Sequence, residues 1–208
     1  APAGVFFCGD ALTHPILIVG AGIAGLWTAL KAAPHPVVLL TGSTLGDGSS
    51  TGWAQGGVAA ALGPDDSAAL HARDTVMAGA GLVDETAAMV LASAGASEVR
   101  ALFDIGAGFE RTETGGWSLS REAAHSVARV ARMKGDQAGA GILAALITAV
   151  READHIEIRD GWRAEALLPD QARGSSASAF ERSQSRPFSP MISPGASACS
   201  KVRATKLL

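Results

Sequence analysis

The chain has 208 residues, 48% hydrophobic and 18% charged, which supplies a buried core for one sizeable domain or two small ones. Aromatics are 5% and Tyr is absent, so that core must be built from Ala, Val, Leu and Ile. The net charge of −3 divides into −8 over residues 1–170 and +5 over residues 171–208, and the acidic body argues against a nucleic-acid partner.

Residues 1–13 read as an N-terminal extension without the positive flank of a signal peptide. No run of 18 apolar residues could span a bilayer, so the expectation is a cytoplasmic protein with no membrane partner. A folded body is expected over 14–170. ILIVG, residues 16–20, is a short β-branched run stopping at glycine, which predicts a buried strand of a parallel sheet. IAGLWTALKAA, 23–33, has helical spacing and ends before Pro34 and Pro36; VVLLT, 37–41, is the next buried strand. Together they predict a right-handed β-α-β unit.

Helices are predicted over 67–81 and 84–106, the second with Asp84 as N-cap and Gly106 as its stop. FERTETGGWSLS, 109–120, predicts a β-hairpin turning at Gly115 and Gly116, with Trp117 packed in it. A helix follows over 137–153, and one or two strands over 155–168. Residues 171–208, Ser/Pro-rich and basic, read as a disordered tail. Cys8 and Cys199 belong to no CxxC or Cys/His spacing, so neither a disulfide framework nor a metal site is expected.

Between the first strand and helix lies GAGIAG, a G-x-G-x-x-G with Gly20, Gly22 and Gly25. The first glycine makes the tight turn, the second lets a pyrophosphate approach the backbone, and the third allows close helix-to-strand packing. The helix N-terminus then offers free N–H groups and a positive dipole end to the anion. The bland alternative is a structural glycine turn, but strand, motif, helix and strand occur in the order a dinucleotide site requires. Where Asp or Glu would hold a ribose hydroxyl stands Thr41, and no Arg is placed for a 2′-phosphate.

The segment GSSTGWAQGGVAAAL, 48–62, admits three readings: a flexible connector, a hydrolase's nucleophile turn, or a second loop against a cofactor. Gly48 to Gly52 spell G-x-S-x-G, with Asp136 and His155 following Ser50 in the order of a serine hydrolase. A nucleophile elbow, however, sits directly between strand and helix, whereas GSTLGD separates Ser50 from its strand. Against a flexible linker stand Trp53 and Gln55: an aromatic, an amide and two glycines suit a backbone lying along a flat ligand. Elsewhere, His14, His35, His71 and His155 lack partner spacing, and Trp27 reads as core.

GAGIAG followed by SSTGWAQGG resembles the flavoprotein family of L-aspartate oxidase, succinate dehydrogenase and fumarate reductase, whose second loop ends A-Q-G-G or A-E-G-G. LSREAAHSVARVARMKGDQAGAGI, 119–142, is similar to the L-aspartate oxidase pattern T-R-E-G-G-H-S followed by R, H and G-D-x-x-G. Arg121, Glu122, His125, Ser126, Arg129, Gly135, Asp136 and Gly139 match it. Ser120 replaces Thr, Ala123 and Ala124 replace glycines, and Arg132 or Met133 falls near the second His.

The resemblance implies an α/β fold, namely an incomplete Rossmann-like FAD-binding domain with a parallel sheet, flanking helices and a small hairpin. It implies noncovalent FAD, because Ser50 stands where the respiratory members carry the His that bonds the flavin. The implied cofactor residues are Gly20, Ala21, Gly22, Ile23, Ala24 and Gly25, then Thr41 and Gly42, then Ser50, Thr51, Gly52, Trp53, Ala54, Gln55, Gly56 and Gly57. Glu122, with Arg121 and His125, is implied as the substrate group, the glutamate orienting an amino group.

The implied reaction is oxidation of L-aspartate to iminoaspartate, toward quinolinate in NAD synthesis, with oxygen or fumarate as electron acceptor and quinolinate synthase as a partner. No catalytic residue is identified: the resemblance ends near Asp170, before the family's capping domain. The expectation is therefore an FAD-dependent oxidoreductase by lineage, truncated, with an out-of-frame tail and inactive alone. An FAD- or nucleotide-binding fragment without catalysis and a fumarate reductase-like flavoprotein are the alternatives.

Overall fold

A computed structural model of the chain describes residues 4–7, 15–133, 135, 137–168 and 201–207. In chain order the elements are β1 (Gly4–Phe7), β2 (Ile16–Val19), α1 (Ile23–Lys31), β3 (Val37–Thr41), a 3-10 turn η1 (Ser50–Trp53), β4 (Gly57–Ala59), α2 (Ala68–Ala78) and α3 (Glu85–Asp104). They continue with β5 (Leu119–Ser120), β6 (Val130–Arg132), α4 (Ala138–Glu152), β7 (Ile156–Asp160), β8 (Trp162–Leu168) and β9 (Lys201–Lys206). The chain divides into two compact units: residues 1–21, 28–45 and 154–208 make the first, residues 22–27 and 46–153 the second.

In the first unit β2, β3 and β7 form a parallel sheet with β3 in the middle, pairing Ile16 with Val37 and Val37 with Ile156. This is the predicted parallel pairing. All five β3 residues are buried, as a strand with neighbours on both sides should be. The expected burial of the first strand is corrected: β2 is an edge strand, and Ile16 and Val19 are 38% and 57% exposed. An apolar β-branched run reads alike at the centre and at the edge of a sheet, because position in the sheet is a tertiary property.

A second, antiparallel sheet orders β1, β9 and β8. Here the disordered-tail reading is corrected for residues 201–206, which form β9 between two partner strands. The buried Ala204 packs with Val38 and Leu40, flanked by Leu17 and Trp162. The pairing comes from distant backbone that local composition does not reveal. Residues 171–200 of that tail, with Cys8, Cys199 and His14, lie outside the described residues.

In the second unit α2 begins at Ser67, whose hydroxyl accepts the Leu70 N–H at 3.1 Å. α3 begins at the expected Asp84, whose carboxylate accepts the Ala87 N–H at 2.8 Å. The two helices pack through small residues, Ala72 against Ala88 and Ala92, with Val76 and Val83 at the margin. α3 ends at Ile105 and Gly106 as predicted. α4 is the helix predicted over 137–153 and buries Ile142, Leu143, Ala145, Leu146 and Val150 on one stripe.

The hairpin is present: Arg111 pairs with Trp117, and the Thr112 N–H donates to Gly116 across the turn. Trp117 meets Phe103 and Phe109 edge-on, with ring centroids 5.6 and 5.9 Å away, and Arg111 lies 4.3 Å over its ring. Trp27 is half-buried, and its indole N–H donates to Glu98 at 2.7 Å. The unit's sheet, β4–β6–β5, is antiparallel and was not predicted as such. No helix among the described residues is long and apolar enough to cross a membrane.

Candidate functional site

The phosphate motif begins in the first unit. Gly20 has φ +105°, a backbone that side chains rarely adopt, and nothing lies within 4 Å of where its Cβ would stand. Its N–H donates to Leu40 at 2.8 Å, extending the β2–β3 ladder by one bond. Thr41 ends β3 and is buried, while Gly42 after it is exposed.

The rest of the motif belongs to the second unit, where Gly22, Ile23, Ala24 and Gly25 open α1. The first N–H groups of a helix have no partner within it. One of them is taken here: the Ile23 N–H donates to the Thr51 hydroxyl at 3.1 Å. A Cβ on Gly22 would stand 3.3 Å from that same oxygen. Thr51 thus caps the helix across 28 residues of chain, joining two segments that sequence reasoning linked only through a ligand.

The 48–57 segment is held by close backbone approach. Ala54 accepts the Gly139 N–H at 3.0 Å at the start of α4. A Cβ on Gly139 would lie 1.8 Å from the Thr51 carbonyl oxygen, and one on Gly57 would lie 2.2 Å from that of Ala131. Gly57 therefore has a structural requirement of its own, in the β4–β6 pairing. Trp53, 84% exposed, and Gln55 face outward. Beside them the Ser49 hydroxyl is buried with no hydrogen-bond partner.

Ser50 opens η1, so the segment is a 3-10 turn and not the strand-to-helix turn that an elbow needs. Asp136 lies outside the described residues. The geometry gives the hydrolase reading no support.

A flavin dinucleotide fits these residues. Within the second unit the α1 N-terminus is exposed at Ile23 and Ala24, Ser49 has an unanswered hydroxyl, and Gln55 offers both a donor and an acceptor.

The second candidate region, Arg121 to Arg129, lies in the second unit and is built on buried charge. The Arg129 side chain is fully buried. Its Nε and one terminal nitrogen each donate to the Asp66 carboxylate at 3.0 Å, and its other nitrogen lies 2.9 Å from Asp74 Oδ2. That same Asp74 oxygen accepts the Ser126 N–H at 2.7 Å and the Ser126 hydroxyl at 2.8 Å.

The turn ahead of Ser126 closes on itself. The His125 N–H donates to the Glu122 carbonyl at 3.0 Å, and Arg121 Nε donates to the His125 carbonyl at 2.8 Å. The Glu122 side chain is exposed. Arg121 also lines a cavity of about 350 Å³ with Leu119, Val127, Ala128 and the Gly63–Asp66 turn.

His71 belongs to this cluster, which corrects its reading as a residue without a partner. Its ring meets the His125 ring edge-on with centroids 6.1 Å apart, and the Nδ1 atoms of both are buried without a hydrogen bond. Burial, and then the positive field of Arg129, holds the His71 pKa below the usual histidine value. Asp74 is held below the usual carboxylate range, first by the Ser126 N–H and further by its hydroxyl and Arg129. Asp66, His71 and Asp74 were missed as site residues; His71 and Asp74, three apart on α2, share a helix face, the only local signal available.

The chain is 52% identical over 157 residues to the L-aspartate oxidase of Caulobacter vibrioides, covering 74% of this chain and 31% of that protein. It is 46% identical over 145 residues to the L-aspartate oxidase of Streptomyces coelicolor, covering 69% and 25%. Among solved structures, the Mycobacterium smegmatis Sdh1 complex matches with TM-score 0.70 at 27% identity, over 76% of this chain and 29% of that one. A variant of the E. coli quinol fumarate reductase protein FrdA matches with TM-score 0.70 at 26% identity, over 76% and 27%.

The chain thus spans about a third of the length of the curated relatives it matches. A family model described as FAD binding domain matches residues 15–192, most of the chain, and takes in both candidate regions. The chain belongs to the FAD binding domain family, and its cofactor is FAD.

Proposed function

We propose that the chain is part of a flavoprotein that oxidises L-aspartate to iminoaspartate in NAD biosynthesis. The observation that carries this reading is the Glu122–His125 turn. Its backbone is closed by its own hydrogen bonds, its acidic side chain is exposed, and it lies in the segment that follows the L-aspartate oxidase pattern.

FAD, when bound, would supply the acceptor for the hydride leaving the substrate's α-carbon, with oxygen or fumarate as the final electron acceptor. In this reading Gly22, Ala24 and Gly25 would offer backbone N–H groups to the pyrophosphate and Gln55 its amide to the flavin; Thr41 and Gly42, in the other unit, are assigned to the ribose by the resemblance alone. Attachment is noncovalent, because the Ser50 hydroxyl cannot form the bond that a histidine ring makes. Glu122 accepts hydrogen bonds from the substrate's ammonium group, while Arg121 and His125 contribute positive charge or donors toward its carboxylates. The product passes to quinolinate synthase in the cytoplasm.

The visible spectrum of the purified, FAD-loaded chain tests this. Anaerobic bleaching of the flavin on adding L-aspartate supports the oxidase, and bound flavin without bleaching assigns the chain to cofactor binding alone. The likeness to fumarate reductase favours a second reading, in which fumarate is the substrate. Glu122→Gln separates the two: it should weaken aspartate-dependent bleaching about tenfold or more while leaving fumarate-dependent reoxidation within about twofold, the ammonium contact being charge-assisted. Equal effects on both reject the role given to Glu122.

A further inference from the structure

We infer that Asp74 is a positioning residue for the substrate turn, acting through Ser126; the substrate assignment rests on the oxidase reading above, the positioning does not. The argument begins with what the turn lacks. Glu122 through His125 contain two alanines, an exposed glutamate and His125, whose ring touches His71 of α2 edge-on, so the only side-chain anchor within the turn among the described residues is that non-hydrogen-bonded ring contact.

Its backbone closes through the His125 N–H and carbonyl, but these bonds run to Glu122 and Arg121, which belong to the same loop. They fix the turn's shape and leave its location free. Location comes from the next residue: Ser126 places both of its donors on one oxygen of Asp74, 52 residues away on α2.

That oxygen must stay anionic and aimed. The buried Arg129 does both, lying 2.9 Å from it while its remaining nitrogens lock onto Asp66 just ahead of the α2 N-cap. Asp66 in turn accepts the N–H of Ser67, the cap residue itself. The turn is thereby referenced to α2 at two points by one guanidinium. A buried guanidinium is costly unless well paired; here two nitrogens of Arg129 donate to Asp66, while the third is held against Asp74 as an ion pair without a hydrogen bond. Asp66 serves Arg129 and the helix start. Asp74 also reaches the turn by hydrogen bonds, beside the weaker His71–His125 ring contact, which makes it the group that turns burial of Arg129 into placement of Glu122 and His125.

Amide-resolved NMR of the full FAD-loaded chain tests this. Asp74→Asn keeps the shape but weakens every bond to that oxygen; it should move the amide signals of Glu122 to Ser126 and the ring signals of His125, and leave those of α3 and α4 in place. Ser126→Ala, which leaves Arg129 paired, should give the same pattern at smaller size.

The proposal is overturned if the turn signals of Asp74→Asn match the unsubstituted chain, or if that variant unfolds, since Asp74 would then hold the fold rather than the turn. Titration with L-aspartate reads the substrate assignment separately. It should shift the turn signals of the unsubstituted chain, with about tenfold weaker binding to Asp74→Asn. If aspartate moves no turn signal while Asp74→Asn still displaces the turn, the oxidase reading fails and the positioning stands. If aspartate shifts the turn but the variant binds it equally, the positioning fails and the oxidase reading stands.

Discussion

The loop at 48–57 and the loop at 121–129 lie in the same unit and are fixed by opposite means. The first is held by backbone pressed against backbone, with glycines at 57 and 139 where any side chain would strike a carbonyl oxygen. The second is held by a buried guanidinium answered by two carboxylates. Contact by shape tolerates no added atom, whereas contact by charge tolerates no lost partner. Opposite substitutions should therefore break them.

The largest effect falls on the charged loop. Arg129→Ala strands Asp66 and Asp74 as carboxylates without their cation, and should cost about 3–5 kcal/mol in denaturant unfolding. Arg129→Lys should recover only part of that, because a lysine cannot bond Asp66 through two nitrogens while reaching Asp74.

Adding one methyl group to the other loop comes next. Gly139→Ala and Gly57→Ala should each cost about 1–3 kcal/mol, because the listener to the new Cβ is backbone and not a flexible side chain. Alanine at Gly63, whose nearest neighbour would be an ordinary 3.4 Å away, should cost less than either. If Gly57→Ala is silent, close approach does not fix the first loop.

How much of this the sequence discloses differs between the loops for a physical reason. β3 was legible as an unbroken apolar run and α4 as a long apolar helical segment, and Asp84 because a helix cap is a local device. The loop at 48–57 stands out in the sequence as a candidate site through its unusual Trp, Gln and glycines. β4 and β6 were not legible, since Gly-Val-Ala and Val-Ala-Arg become strands by pairing with each other across some seventy residues, and β6 with β5 besides. Arg129 matched a motif, yet its partners Asp66 and Asp74 lie 63 and 55 residues earlier, and no spacing rule selects them from the other acidic residues.

Smaller effects sharpen the comparison. Ser67→Ala removes the α2 cap and should cost about 1 kcal/mol while also loosening the 121–129 loop that α2 carries, visible as faster amide exchange there and not at 48–57.

The smallest effect is a slope. The folded chain lowers the His71 pKa, so the unfolded chain binds that proton more readily, and stability should fall as pH drops below the usual histidine value. His71→Gln should flatten this part of the curve, read as unfolding midpoints between about pH 7 and pH 5. Asp74 acts at lower pH: its contribution is present above the usual carboxylate range and disappears as pH falls through its depressed value.

The pairing of β3 with β7 sets an order of events during synthesis. Val37 meets Ile156 in register, and residues 46–153 of the second unit are made between them. When β3 leaves the ribosome its second neighbour does not yet exist, so a strand whose five residues end up buried must wait with one side open. Closing so long a connection costs entropy that grows only slowly with its length, but it does delay the contact. Folding of the inserted unit as it emerges would draw the ends together, which makes that unit the natural first step in assembly of the sheet.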